Sequence, residues 1–410
     1  MKSGMLFVVA LLITSVILCG CMGPPPITKS KDIVIGALVP LTGDWSSKGQ
    51  NFNAAIVIAA NDTNANLATI GSGKKVRLLV EDTGTDPAVA IEKIKKLHQE
   101  GARIIVGPAT SAELAGVKDW ADQQGIIVIS YGSTSPALSI AGDNVFRLVP
   151  DDTRQGEAMA GYLDRSGIRV IIPVVRNDTW GKGLLSATKT RFEQNGGVVM
   201  NGYFFEPGSR DFTPILADLS PQVKAAQQQY GNNSVGVYSI GFDEMVPLLS
   251  GAADYPPLET VLWFGSDGAA KTDAVTKNAS AAYFAEKTGF YSPVYGEENE
   301  SGGFLDVKRR VQAMTGVAAD PYSLAAYDAT AIAARSLLNS EDASYDQLKK
   351  AVEHTASYYY GVTGWTKFVA SGDRAYAVYG FWTVKTVNGT PTWVQVARFQ
   401  SDPGKTGRFT

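Results

Sequence analysis

The run VYSIGFDE ends on adjacent carboxylates, Asp243 and Glu244, and two other loops, GPATS and SYGSTS, gather hydroxyls at Thr110, Ser111, Ser130, Ser133 and Thr134. A carboxylate can act as acid or base, ligate a metal, or accept from an ammonium. Acid/base pairs that cleave a bond must flank the substrate, which sequence neighbours do not. Hydroxyls ahead of a helix cap it, and with the free N–H groups behind them they also hold an anion. A hydroxyl cluster on one side and an acid on the other therefore describe the two ends of a clamp for an α-amino acid. Asp267, in FGSDG, is a further acid at the rim of that clamp, or an Asx-type turn.

Other chemistries lack their residues. The two histidines, His98 and His354, lie far apart in helical stretches, so neither a metal site nor a histidine base is expected. The first glycine-bearing turn, LVPLTGDWSSKG, contains no GxGxxG, and no cofactor is expected. A net charge of -3 carries no footprint for nucleic acid. The reading is a binder, not an enzyme.

Loops of this kind need elements to hold them. Short aliphatic runs alternate with helical stretches: DIVIGALV, VRLLVED, RIIVG and IIVIS in a first set, then RVIIPVVR, VVMNGYFF, SVGVYSI and TVLWF in a second. Continuous apolar strands separated by helices indicate parallel sheets covered on both faces. The expected fold class is α/β, with two doubly wound parallel-sheet lobes. In such sheets ligands bind where strands end and helices begin, which is where every loop named above falls. The last third is less regular, closing on two aromatic strands around Asn388 and Gly389.

The first residues have another purpose. Lys2 precedes an apolar run from about Met5 to Leu18 that is short for a bilayer span, and Leu18, Cys19, Gly20 and Cys21 resemble a lipoprotein cleavage box. Residues 1–20 are expected to be a signal peptide and 21–31 a tether lipidated at Cys21, placing the body at the outward membrane face. With Cys21 lipidated, the body has no disulfide and no cysteine nucleophile.

The chain from 32 to 270 resembles the type I periplasmic binding proteins, in their leucine/isoleucine/valine-binding branch. The resemblance is carried by IVIGALVPLTG, NAAIVIAANDTNAN, EDTGTDPAVAIEKIKKL, IIVGPATS, GIIVISYGSTSPALS, FRLVPDDTRQG, PGSRDFTPILADL and SIGFDE, in that order. It implies hydroxyls of Ser111 and Thr134 on a ligand carboxylate, backbone contacts at Gly132 and Ser133, and Glu244 on the ligand ammonium. It also places Asp152 where the chain enters the second lobe and Trp180 where an aromatic covers the ligand. Lys48 stands where branched-chain receptors often carry an aromatic or apolar residue. If its ammonium enters the pocket, a polar or acidic ligand is favoured; Trp45 would supply apolar cover.

The resemblance further implies three interlobe crossings, with 32–148 and 268–372 forming lobe 1, 149–267 and 373–397 forming lobe 2, and 398–410 a tail. The implied function is capture of an amino acid by hinge closure, in a monomeric body that hands its ligand to an ABC permease and ATPase. A sensor that passes its ligand to a signalling partner is the alternative, as is a receptor for another small carboxylate.

Overall fold

The computed structural model describes residues 32–296, 301–340, 343–401 and 404–410. The expected signal peptide, Cys21 and tether lie outside the described residues.

The first lobe is built on a parallel sheet of β1 (Ile33–Val39), β2 (Val76–Asp82), β3 (Ile104–Val106), β4 (Ile127–Ser130) and β5 (Val145–Arg147), in the order β2-β1-β3-β4-β5. Helices α1 (Ser46–Thr69), α2 (Pro87–Gln99) and α3 (Ser111–Gln124) connect its strands. The second lobe repeats the plan with α4 (Asp152–Arg165), β6 (Val170–Arg176), α5 (Thr179–Gln194), β7 (Val198–Val199), β8 (Tyr203–Phe205), α6 (Thr213–Tyr230), β9 (Val235–Ile240), α7 (Met245–Ala252) and β10 (Leu262–Phe264). Here β6 lies between β9 and β7/β8, with β10 beyond β9, all parallel. The strands β3, β4, β6 and β9 are buried throughout, as continuous apolar runs in covered parallel sheets should be.

Two expected boundaries are corrected. Residues after 267 stay with the second lobe: α8 (Asp273–Lys277) and α9 (Ala279–Thr288) lead to Tyr291, which pairs in parallel with Phe264, and to β11 (Ser292–Tyr295). Phe284 and Phe290 are buried in the same core as Trp263, and that apolar burial holds the segment there. Return to the first lobe comes only with α10 (Gly302–Thr315) and α11 (Pro321–Leu338), which pack on α1. Helix α12 (Tyr345–Tyr358) packs on α11, and a short hairpin of β12 (Tyr360–Gly361) and β13 (Gly364–Trp365) follows.

The end of the chain is not a tail. Strand β14 (Ala377–Val387) pairs with β11 and with β15 (Thr390–Ser401), and β16 (Arg408–Phe409) adds to β15. The turn at Asn388 and Gly389 has φ of 50° and 79°, the left-handed pair that a tight hairpin of this type requires. Phe409 packs against Tyr162, Phe381 and Phe399.

One buried ion pair ties the seam to the site loops. Arg147, at the end of β5, pairs with Asp373 and donates through Nη1 to the carbonyls of Ser133 (3.3 Å) and Ser135 (2.8 Å). Both side chains are almost wholly buried. Removing one partner leaves the other charge unpaired, at about 3–5 kcal/mol. Asp373→Ala should lower the stability measured by urea unfolding by that amount, and a change under 1 kcal/mol would contradict the role given to this pair.

Candidate functional site

The site lies where α3, the loop after β4 and the start of α1 face α4 and the loops after β9 and β10. Its local geometry follows from capping. Thr110 caps α3 in a reciprocal box with Glu113, which makes Ser111 the first helical residue. Asp151 caps α4 through Thr153 N (2.8 Å), so that Asp152 follows in the first turn and Gln155 sits beside it at i+3. Asp178 caps α5 through Gly181 N (2.8 Å) and so sets Trp180 at the cleft.

All ten residues expected in the site are buried: Trp45, Lys48, Ser111, Gly132, Ser133, Thr134, Asp152, Trp180, Glu244 and Asp267. On the hydroxyl side, Ser111 Oγ lies 2.9 Å from Ser133 Oγ and accepts from the N–H groups of Thr134 (3.2 Å) and Ser135 (3.1 Å). Thr134 donates its own hydroxyl to Asp152 across the seam (2.9 Å). Hydroxyls and the start of α3 thus converge on a loop that the Arg147 guanidinium backs from its carbonyl side, a set that suits one carboxylate.

Glu244 has a different employment from the one expected. Oε1 receives Arg176 Nη1 and the N–H of Gly208 (3.1 Å), while Oε2 receives the N–H of Phe242 (2.8 Å). Burial pushes its carboxyl up and the adjacent guanidinium draws it back. Glu244 thus already holds a cation, the Arg176 guanidinium, and three hydrogen bonds from the protein fall on its two oxygens. Its partner Arg176 also donates to Asp178 (2.7 Å) and, across the cleft, to Asp44 (3.1 Å). Asp243, expected to be loop structure or solvent-facing, is only partly exposed and accepts from Ser47 Oγ of the opposite lobe (2.8 Å).

Two other acids are poorly served. Asp152 accepts from Thr134 and from Gln155 Nε2 (2.8 Å), and Gln155 in turn accepts from Asp267 N (3.1 Å). Asp267 Oδ2 receives the Tyr322 hydroxyl, but Oδ1 is buried with no partner. Burial, then the charge of Asp267, raises Asp152 well above the usual carboxylate range; burial raises Asp267, partly offset by Tyr322 and Gln155.

Aromatic rings close the cleft. Phe242 is stacked between Trp45 (4.7 Å, 17°) and Trp180 (4.5 Å, 10°), so a ring of the first lobe meets two of the second. Such contacts contribute about 0.5–1.5 kcal/mol each beyond area. Trp45 Nε1 donates to Gly268 O (3.1 Å). Lys48 enters the cleft and does not extend outward: its Nζ donates to the carbonyls of Asp267 (3.4 Å) and Ala270 (3.0 Å).

Sequence reasoning missed Arg176, Gln155, Phe242 and Tyr322. Arg176 had a signal, as the single charge ending the apolar strand VIIPVVR, and Gln155 had one in its i+3 spacing from Asp152. Tyr322 had none, because only the return of α11 to the seam brings it to Asp267.

Two α/β lobes thus shut hydroxyls and acids into a shared cleft. The chain belongs to the periplasmic binding protein family, whose profile matches residues 32–390, and its fold is that of the type I periplasmic binding proteins. It is 31% identical to the uncharacterized protein MJ1266 of Methanocaldococcus jannaschii over 97% of this chain and 98% of that one. It is 28% identical to a Leu/Ile/Val-binding protein of Rhizobium johnstonii over 47% of this chain and 52% of that one. Among solved structures, a branched-chain amino acid transporter substrate-binding protein of Streptococcus pneumoniae in complex with isoleucine aligns with a TM-score of 0.72 at 19% identity. That alignment covers 89% of this chain and 100% of that one. A Rhodopseudomonas palustris solute-binding protein in complex with benzoate aligns at 0.71 and 16%, covering 91% and 97%. Among the described residues no helix is long and apolar enough to cross a membrane.

The raised carboxyls set a pH dependence. A carboxyl that ionises less readily folded than unfolded destabilises the fold once both states are ionised; the penalty is absent below the ordinary value of about 3.8 and complete above the raised one. Ligand-free Asp267→Asn should therefore unfold at a higher temperature than the parent at pH 7, with the advantage shrinking toward pH 4. A lower melting temperature at pH 7 would contradict this.

Proposed function

We propose that the chain is the extracytoplasmic solute-binding component of an ABC uptake system, and that it captures an amino acid between its lobes by hinge closure. The carrying observation is Asp267 Oδ1, a buried carboxylate oxygen without a partner, beside the second buried acid Asp152. A ligand ammonium supplies the missing donor and, beside the charge of Lys48, a second cation for the two acids. A metal ion is the poorer occupant, since no third His, Cys, Asp or Glu joins these two into a metal-holding group among the described residues. The ligand carboxylate takes the hydroxyls of Ser111 and Ser133, the first of them held in place by the N–H groups of Thr134 and Ser135, while Gly132 lets this loop pack closely on the backbone of Ala109.

This assigns the ammonium to Asp267 and Asp152 in place of Glu244. Glu244 instead holds Arg176, which also reaches Asp44 of the opposite lobe. Trp45 and Trp180 cover the ligand through Phe242. Isoleucine and benzoate, the ligands of the two structural neighbours, share a carboxylate and differ in the ammonium. The acid pair favours the amino acid. In this reading no bond of the ligand is made or broken, and the product is a closed shape that a permease recognises.

A thermal-shift screen of the full chain against the amino acids, followed by calorimetry, should find one that stabilises the fold. Asp267→Asn should weaken its binding by about 2–5 kcal/mol. Unchanged affinity would remove Asp267 from the site, and stabilisation by benzoate but by no amino acid would replace the ligand class. The body is also held at the membrane through lipid on Cys21, a reading supported by the Leu18 to Cys21 pattern. Cys21→Ser should move the protein from the detergent phase to the aqueous phase on partitioning; retention in detergent would contradict lipidation there.

A further inference from the structure

On the backbone side of Asp267 lies a second polar cluster that ammonium capture leaves unused. Lys48 Nζ is buried, 5.6 Å from the ring centroids of both Trp45 and Tyr322, and its two carbonyl partners occupy two of three N–H donors. Asp320 caps α11 through Oδ1, which accepts from Tyr322 N (2.9 Å) and Ser323 N (3.2 Å). Its Oδ2 is buried and has no partner. Asp320 and Asp267 supply the largest opposing charges on Lys48, and Tyr322 links them, its N–H on Asp320 and its hydroxyl on Asp267. The cluster therefore has one ammonium hydrogen and one carboxylate oxygen to spare, shut in the same seam as the ligand site.

We propose that this cluster reads the ligand side chain, and that the side chain ends in a carboxamide, making the solute an amino acid of the glutamine or asparagine kind. The inference rests on the amino-acid reading above. A carboxamide carbonyl accepts from Lys48 while its NH2 donates to Asp320 Oδ2, and no net charge is added. A branched aliphatic side chain leaves both groups unmet in a dry site. A carboxylate side chain satisfies Lys48 but sets a negative charge against Asp320 and Asp267. A basic side chain satisfies Asp320 but is repelled by Lys48. A site built to hydrogen-bond its ligand discriminates strongly against analogues that lack the bond.

Calorimetric titration of the full chain with glutamine, asparagine, leucine, isoleucine, glutamate and lysine tests this. Glutamine or asparagine should bind at least tenfold more tightly than any of the other four. Lys48→Met should cut the affinity for that amide at least tenfold and reduce or invert its preference over leucine. If Lys48→Met does not fold, Lys48→Leu, which also removes the donor, should show the same loss of preference. A parent protein that prefers leucine, isoleucine, glutamate or lysine overturns this inference alone and leaves amino-acid capture standing. An amide-to-leucine ratio unmoved by the Lys48 substitutions also overturns it. Binding of no amino acid at all removes both readings.

Discussion

Asp152 and Asp267 are buried together at the seam, and neither makes an ion pair among the described residues. An unpaired buried carboxylate costs several kcal/mol, so the fold must hold both in place by hydrogen bonds that fall short of neutralising them. Thr134 reaches Asp152 from the first lobe, Tyr322 reaches Asp267 from α11, and Gln155 spans the two from α4. Each of those donors arrives from a different part of the chain. The capping of α4, the return of α11 and the loop after β4 together bring these donors to the two acids. What the hydrogen bonds leave over, one carboxylate oxygen and an excess of negative charge, is what a ligand ammonium would supply.

Arg176 works as the counterpart on the outer side of the cleft. There the acids Glu244, Asp178 and Asp44 share one guanidinium, and the last of them belongs to the opposite lobe. Neutralised in this way, the outer acids serve closure, together with Ser47 on Asp243 and Trp45 on Gly268. The two acidic groups therefore differ: one set is satisfied and joins lobe to lobe, and in the proposed reading the other receives the ligand ammonium. Closure without ligand would bury the second set unpaired, which couples the hinge to occupancy.

The parallel sheets were legible because their strands are apolar runs of the right length, from DIVIGALV to TVLWF, with helices between. The hydroxyl loops were legible because β-strand ends in such sheets are where ligands sit. Residues 273–295 were not, since Phe284 and Phe290 declare no sheet of their own and join the second lobe by packing on Trp263 and α7 and through the bridge at Tyr291. The last strand, Arg408–Phe409, is too short to announce itself. In the site, a lone run such as GFDE cannot reveal that an arginine 68 residues earlier claims Glu244. The same limit hid Tyr322, 55 residues beyond Asp267. Composition and spacing locate the groups at strand ends; which charge meets which is decided by packing between lobes.

A crystal structure of the protein with its amino acid bound tests the account most directly. The ligand ammonium is predicted within hydrogen-bond distance of Asp267 Oδ1, with Glu244 still held by Arg176. An ammonium on Glu244, with Arg176 displaced and Asp267 Oδ1 facing no ligand atom, would contradict it.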